Sequence, residues 1–138
     1  MDKVIRFGVS IEEKLLKKFD SLIKEKNYLN RSEAIRDLIR EKLVREEWDS
    51  EDREVAGVIT IVYDHHKREL VQNLISIQHN FYKIIIASQH IHFDHNNCME
   101  MIAVRGNIKE LKNLESRLKS EKGVKHTVFS KSTLGESI

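Results

Sequence analysis

A chain of 138 residues is long enough for one ordinary domain or two small ones in series. Hydrophobic residues make up 40% of it, enough for a packed core, and charged residues 33%, enough for a highly solvated surface. The 24 Lys and Arg exceed the 22 Asp and Glu by only two, which excludes nucleic-acid binding by bulk charge, so any DNA role needs a local patch. No run of apolar residues is long enough to span a membrane, and the opening MDKVIRFGVSIEEK lacks the apolar stretch of a secretory signal, so a cytoplasmic protein is expected. A single cysteine cannot form an intrachain disulfide, which suits a reducing compartment.

The chain opens with an alternation. Phe7, Val9 and Ile11 fall on one face of a strand at Ile5–Ile11, and Arg6, Gly8 and Ser10 on the other. A lone strand has no ladder partner, so it must pair with something. Over Glu12–Lys26 the apolar residues Leu15, Leu16, Phe19, Leu22 and Ile23 repeat at helical spacing. Asn30-Arg31-Ser32-Glu33 is a capping-box-like start, and Ala34, Ile35, Leu38, Ile39 and Leu43 carry a second helix to about Glu47. One strand and two helices in some fifty residues bury too little, but two copies solve the problem by pairing their strands as a ribbon over interlocked helices. This βαα unit is therefore expected to be a ribbon-helix-helix dimer.

The polar, acid-rich stretch Glu46–Arg53 then interrupts the pattern. It divides the chain into a first domain at 1–47, a linker at 48–53, a second domain at 54–131 and a tail at 132–138. The second domain reads as strand Val55–Asp64, helix Lys67–Gln78, strands Tyr82–Phe93 and Met99–Arg105, helix Ile108–Lys122 and strand Val124–Ser130. The order βαββαβ predicts a ferredoxin-like α+β fold. Gly123 follows the last helix, where a left-handed residue is expected.

His90-Ile91-His92 and Cys98 are the strongest chemical signal. Residues i and i+2 of a strand point the same way, with Cβ atoms about 6.7 Å apart, close enough for both imidazoles to reach one ion. The polar turn Asp94–Asn97 reverses the chain, and Cys98 opens the partner strand, adding a thiolate. Imidazole and thiolate together suit nickel, copper or zinc. Three protein ligands plus water would make a catalytic zinc site, with Glu100 as base or as a hydrogen-bond acceptor orienting an imidazole; a fourth nitrogen or sulfur ligand would allow a square-planar Ni(II) or Cu(II) site. Both layouts are open at this level, and His79, which closes the preceding helix, is left unassigned. His95 in the turn, His65-His66 before a helix and His126 on the last strand read as surface residues.

At the N-terminus, Arg6, Gly8 and Ser10 on one face of a two-stranded ribbon would suit the DNA major groove. The start of the second helix at Arg31–Ser32 offers free backbone N–H groups to a phosphate.

These motifs together resemble nickel-responsive transcriptional regulators of the NikR family. The resemblance is carried by RFGVSI, NRSEAIRDLIR at 30–40, YDHHKREL at 63–70, IQH at 77–79, HIHFDHNNCMEM at 90–101 and KGVKH at 122–126, and covers all but the C-terminal tail. It implies square-planar Ni(II), one per subunit, held by His90, His92 and Cys98 of one protomer and His79 of a neighbour. It implies a homotetramer in which four ferredoxin-like (ACT-like) domains form the centre and a ribbon-helix-helix dimer stands at each end. It implies operator DNA as the partner, read by Arg6, Gly8 and Ser10, with Lys67 and Arg68 on the DNA backbone, and repression of nickel uptake as the outcome. Glu33 and Asp37 resemble the family's site for a monovalent cation such as K+.

Two departures stand out. Gly8 occupies a position where the family often has Thr or Ser, which removes a hydroxyl donor. Asn80-Phe81-Tyr82 replaces the His-rich run of some members, so extra nickel sites are not expected there. The rival readings are a metal-independent ribbon-helix-helix repressor or antitoxin, a metal buffer, and a zinc-dependent hydrolase using Glu100.

Overall fold

The computed structural model describes residues 2–136 and 138 of the chain. It divides into two compact units, residues 1–41 and 42–138, with the boundary inside a helix.

The first unit is helical. Helices α1 (Glu13–Glu25) and α2 (Arg31–Glu47) are joined by a turn in which Asn27 takes the left-handed conformation, φ 60°, that asparagine tolerates better than most residues. The Asn30 carboxamide accepts from the Glu33 backbone N–H at 2.9 Å, so Asn30 caps α2. Arg31 grips Asp20 through two 2.9 Å bonds and holds its carboxyl below the usual range. The Tyr28 hydroxyl donates to Asp37. The strand expected at 5–11 does not form: residues 2–12 enter no ladder, and Phe7 is 70% exposed. Ala34 is the only buried residue among those described up to position 41. Val4, Ile5, Phe7, Val9 and Ile11 of the N-terminal stretch and Leu15 and Leu22 of α1 stay exposed, whereas Leu16, Phe19 and Ile23 of α1 are half-buried.

The second unit is a four-stranded antiparallel sheet, β1 (Glu54–Asp64), β2 (Ile85–His92), β3 (Asn97–Asn107) and β4 (Val124–Lys131), in the order β2-β3-β1-β4. This is the ferredoxin-like order. Helices α3 (Arg68–Asn80) and α4 (Ile108–Lys119) bury Leu70, Leu74 and Ile77, and Ile108, Leu111, Leu114 and Leu118. Those stripes meet Val55, Ile59, Ile61 and Tyr63 of β1 and Cys98, Ile102 and Val104 of β3 in one core. On β1 and β3 buried residues alternate with half-buried ones, so the opposite face carries Val58, Val62, Met99 and Met101 only partly covered. Asn107 caps α4 by accepting from Lys109 N–H at 2.9 Å. Gly57 is required by close approach: a Cβ there would lie 2.7 Å from the Ser130 carbonyl oxygen and from the Phe129 ring.

Three expectations change. Strand β2 begins at Ile85 rather than Tyr82, because turns run on past α3: the amides of Phe81, Tyr82 and Ile84 donate to the carbonyls of Gln78, His79 and Phe81. Helix α4 ends at Lys119 rather than Lys122, and Gly123, φ 104°, makes the turn into β4. The stretch expected as a linker starts with an anchor. Trp48 is 6% exposed, lies edge-on to Phe129 at 5.2 Å and donates Nε1–H to the Ser132 carbonyl at 2.8 Å. Ser132, the first residue of the expected tail, also donates its own N–H to Ala56; Ser137 of that tail lies outside the described residues.

Candidate metal centre and nucleic-acid interface

The sheet register builds the centre. His92 stands opposite Cys98, and His90 opposite Glu100, on edge strand β2 and its neighbour β3. Tyr63 pairs with Cys98 from the other side. His90, His92, Cys98, Glu100 and Tyr63 therefore share the helix-bearing face. Cys98 is fully buried, whereas the imidazoles stand at the exposed edge, His90 with 53% of its side chain accessible.

Glu100 is the hub. It is only 3% exposed, and both carboxylate oxygens are engaged: Oε1 accepts from Gln78 Nε2 at 2.8 Å, and Oε2 accepts from the Tyr63 hydroxyl at 3.0 Å and faces His90 Nε2 at 3.0 Å. The carboxylate thus ties β1, β2, β3 and the end of α3 together. Burial, reinforced by Glu100 and Cys98, holds the Tyr63 phenol far above its ordinary range, so it stays a donor. Burial also raises the Cys98 thiol; the Tyr63 hydrogen bond opposes this, and the charges of Glu100 and Asp64 add to it. Without a bound cation Cys98 is accordingly a neutral thiol at neutral pH.

Among the described residues no group of three His, Cys, Asp or Glu side chains is arranged to hold a metal ion within one chain. Two features account for this. His90 is turned onto Glu100. His79, the penultimate residue of α3, is exposed and has its ring 6.5 Å from that of Tyr82. Even so, the donor set fits a borderline cation: two imidazoles at i and i+2 of an edge strand, and a buried thiol in register with one of them, leave the set one donor short.

The other expected site residues are distributed as follows. Arg6, Gly8 and Ser10 are exposed in the unpaired N-terminal stretch, and Gly8 has nothing within 4 Å of where a Cβ would be. Lys67 and Arg68 are exposed at the start of α3. Glu33 and Asp37 lie one turn apart on α2, but Glu33 pairs with Arg36 and Asp37 accepts from Tyr28. Sequence reading missed Tyr63 and Gln78. A residue bearing a hydroxyl in phase with the core positions of β1, and a Gln preceding His79, were the available signals, but only strand register and helix placement connect them to Glu100.

A helical N-terminal unit ahead of a ferredoxin-like domain with an imidazole–thiol edge is the arrangement of a metal-responsive DNA-binding regulator. Comparison with known proteins agrees. Residues 56–131 match the NikR C terminal nickel binding domain, and residues 5–46 match the ribbon-helix-helix proteins of the copG family. Relatives bearing the provisional name nickel-responsive regulator include one from Syntrophus aciditrophicus, 53% identical and covering 99% of this chain and 98% of its own. Another, from Nitratidesulfovibrio vulgaris, is 52% identical over 100% and 99%, and one from Pyrococcus furiosus is 50% identical over 98% of each. An uncharacterized protein of Thermotoga maritima shares the fold, with a TM-score of 0.50 and 18% identity over 56% of this chain and 98% of its own. The chain belongs to the NikR family of nickel-responsive, ribbon-helix-helix transcriptional regulators. That membership makes it a regulator rather than an enzyme and removes the zinc-hydrolase reading; Glu100, with both oxygens occupied, is also poorly placed to act as a base. No helix among the described residues is long and apolar enough to cross a membrane.

Proposed function

We propose that this chain represses nickel uptake by binding operator DNA as a homotetramer, one Ni(II) per protomer being held between subunits. His90, His92 and Cys98 would hold the ion from one protomer and His79 from another. The observation that carries this reading is the incomplete donor set: three ligands share one sheet face, and the fourth stands exposed at a helix end of the same chain. Nickel, when bound, would supply a link between protomers through imidazole and thiolate donors.

The chain's own residues do the rest. Gln78, hydrogen-bonded to Glu100, fixes the turn of α3 that carries His79. Cys98 gives up its proton on binding, so nickel affinity falls on acidification. Arg6 and Ser10 read base edges from the paired ribbon, and Lys67 and Arg68 contact phosphates. The partly covered sheet face with Met99 and Met101 supports assembly beyond the dimer. The same reading reserves Glu33 and Asp37 for a monovalent cation such as K+, in competition with Arg36 and Tyr28. A cytoplasmic location follows from a DNA target and a reduced thiol.

The test is operator binding with and without one equivalent of Ni(II), for the native chain and for His79→Ala, with the subunit count measured in parallel. Nickel should tighten operator binding by tenfold or more in the native tetramer and not in the variant. Coupling is reciprocal, so DNA must tighten nickel by the same factor. Independent titration of metal and DNA would defeat the proposal.

A further inference from the structure

Residues 44–53, the end of α2 and the stretch expected as a linker, are tied to the second unit at close intervals. Val44 packs against its core. The Glu47 carboxylate is buried and pairs with Arg53 at 3.5 Å. Trp48 stands edge-on to Phe129, donates Nε1–H to the Ser132 carbonyl, and has Lys131 Nζ 5.6 Å from its ring centre. The carbonyls of Glu51 and Arg53 accept from Lys109 and Ile108 N–H at 3.2 and 3.1 Å. Ser132 gives its own N–H to Ala56 at 2.9 Å, so the first residue beyond β4 is held against β1 and forms the other jaw of a clasp on Trp48.

The clasp opposes the composition of the stretch. Glu46, Glu47, Asp49, Glu51 and Asp52 repel one another and would extend it if it were loose. The ends of a loose segment 48–53 would wander over roughly 13 Å. Pinned at 48, 51 and 53, the segment has no such freedom. The division between the two units accordingly falls at 41–42, inside α2, and not in this stretch. Two DNA-reading units that engage one duplex do so at an effective concentration set by their tethers, and slack lowers it.

We infer that Trp48 is a positioning residue for DNA binding: its clasp on Phe129 and Ser132 fixes the point where α2 leaves the second unit, so that the DNA-reading unit is carried on a fixed helix end and not on a slack tether. The clasp itself stands on the contacts above. The positioning role rests on the proposed function, in which two such units of one nickel-loaded assembly engage one duplex.

Trp48 is the single tryptophan, so its fluorescence reports the clasp in the full chain. Its emission should be blue-shifted and shielded from acrylamide. It should stay so when one equivalent of Ni(II) is added with a duplex that the nickel-loaded native chain selects from a random-sequence pool. Solvent-exposed emission before or after that addition would overturn the clasp as a fixed point. A glutamate-specific protease should cut Trp48→Ala after Glu46, Glu47 or Glu51 at least about tenfold faster than the native chain, and equal rates would overturn the clasp as well. Should Trp48→Ala fail to fold, Ser132→Pro, which removes the N–H given to Ala56 and leaves the aromatic pair in place, stands in for it. The selected duplex should bind nickel-loaded Trp48→Ala about tenfold more weakly than the native chain, and Trp48→Phe should recover most of the loss. The nickel–thiolate absorption should be the same in all three. Equal duplex affinity would overturn the positioning role, and so would a reduced nickel absorption, because the damage would then reach the metal centre. A native chain that selects no duplex with nickel would defeat the proposed function and the positioning role together, while fluorescence and proteolysis still decide the clasp.

Discussion

Replacing Glu100 by alanine tests the logic of the centre without any metal. The carboxylate is buried and satisfies the Tyr63 hydroxyl and the Gln78 amide. An unsatisfied buried donor costs about 1–3 kcal/mol. Tyr63 is 2% exposed and bears this in full, whereas Gln78 is half-buried and recovers part from water. The His90 contact counts for little, because that imidazole is 53% exposed and solvent screens it. Relief of the buried charge offsets part of the loss. The expected cost of Glu100→Ala is about 2–4 kcal/mol. Glu100→Gln keeps the volume and one acceptor oxygen, and should cost about 1 kcal/mol. Urea denaturation of chelator-treated protein, at one fixed protomer concentration because assembly contributes to stability, measures both. If Glu100→Ala unfolds within about 0.5 kcal/mol of the native chain, or Glu100→Gln costs as much as Glu100→Ala, the carboxylate is not acting as the shared acceptor.

Three further outcomes follow from the packing. Trp48→Ala should destabilise the second unit by about 3–5 kcal/mol, the usual cost of removing a buried aromatic, while Trp48→Phe, which keeps a ring against Phe129 and loses only the bond to Ser132, should cost closer to 1 kcal/mol; thermal unfolding ranks the two. Gly57→Ala should cost about 1–3 kcal/mol, because its Cβ meets the Ser130 carbonyl at 2.7 Å, and Gly8→Thr should leave stability unchanged, because that position is open; the same unfolding experiment compares them. In the metal-free protein the Cys98 thiol, raised above its ordinary range, carries less thiolate than free cysteine at any pH below that raised value, so an aromatic disulfide reagent at neutral pH should label it well over tenfold more slowly than a free thiol, with denaturant restoring the difference. Rapid labelling of the native chain would show that Cys98 is open to solvent.

The elements of the second unit were legible in the sequence because periodicity is a local property. Leu111, Leu114 and Leu118 repeat at helical spacing whatever lies beneath them, and the alternation along Val55–Tyr63 needs only that one face be buried. His90 and His92 could be placed on one face for the same reason. Element ends were less legible: the turns at Phe81–Ile84 are held by i to i+3 bonds that apolar spacing does not encode. The partners of Glu100 were not legible at all, since Tyr63 and Gln78 lie 37 and 22 residues from it and meet it only through register and helix placement. Trp48 looked like part of a polar linker because its neighbours are charged, and only β4 supplies the ring and carbonyl that bury it. The N-terminal stretch is the opposite case. Its alternation predicted a strand in need of a partner, but residues 2–12 enter no ladder and Val4, Ile5, Phe7 and Val9 stay exposed. By itself the sequence determined the periodic elements of the second unit and the donor types, which depend on spacing along the chain. Tertiary structure alone decided which donors meet, since cross-strand register and helix packing join residues that sequence distance keeps apart.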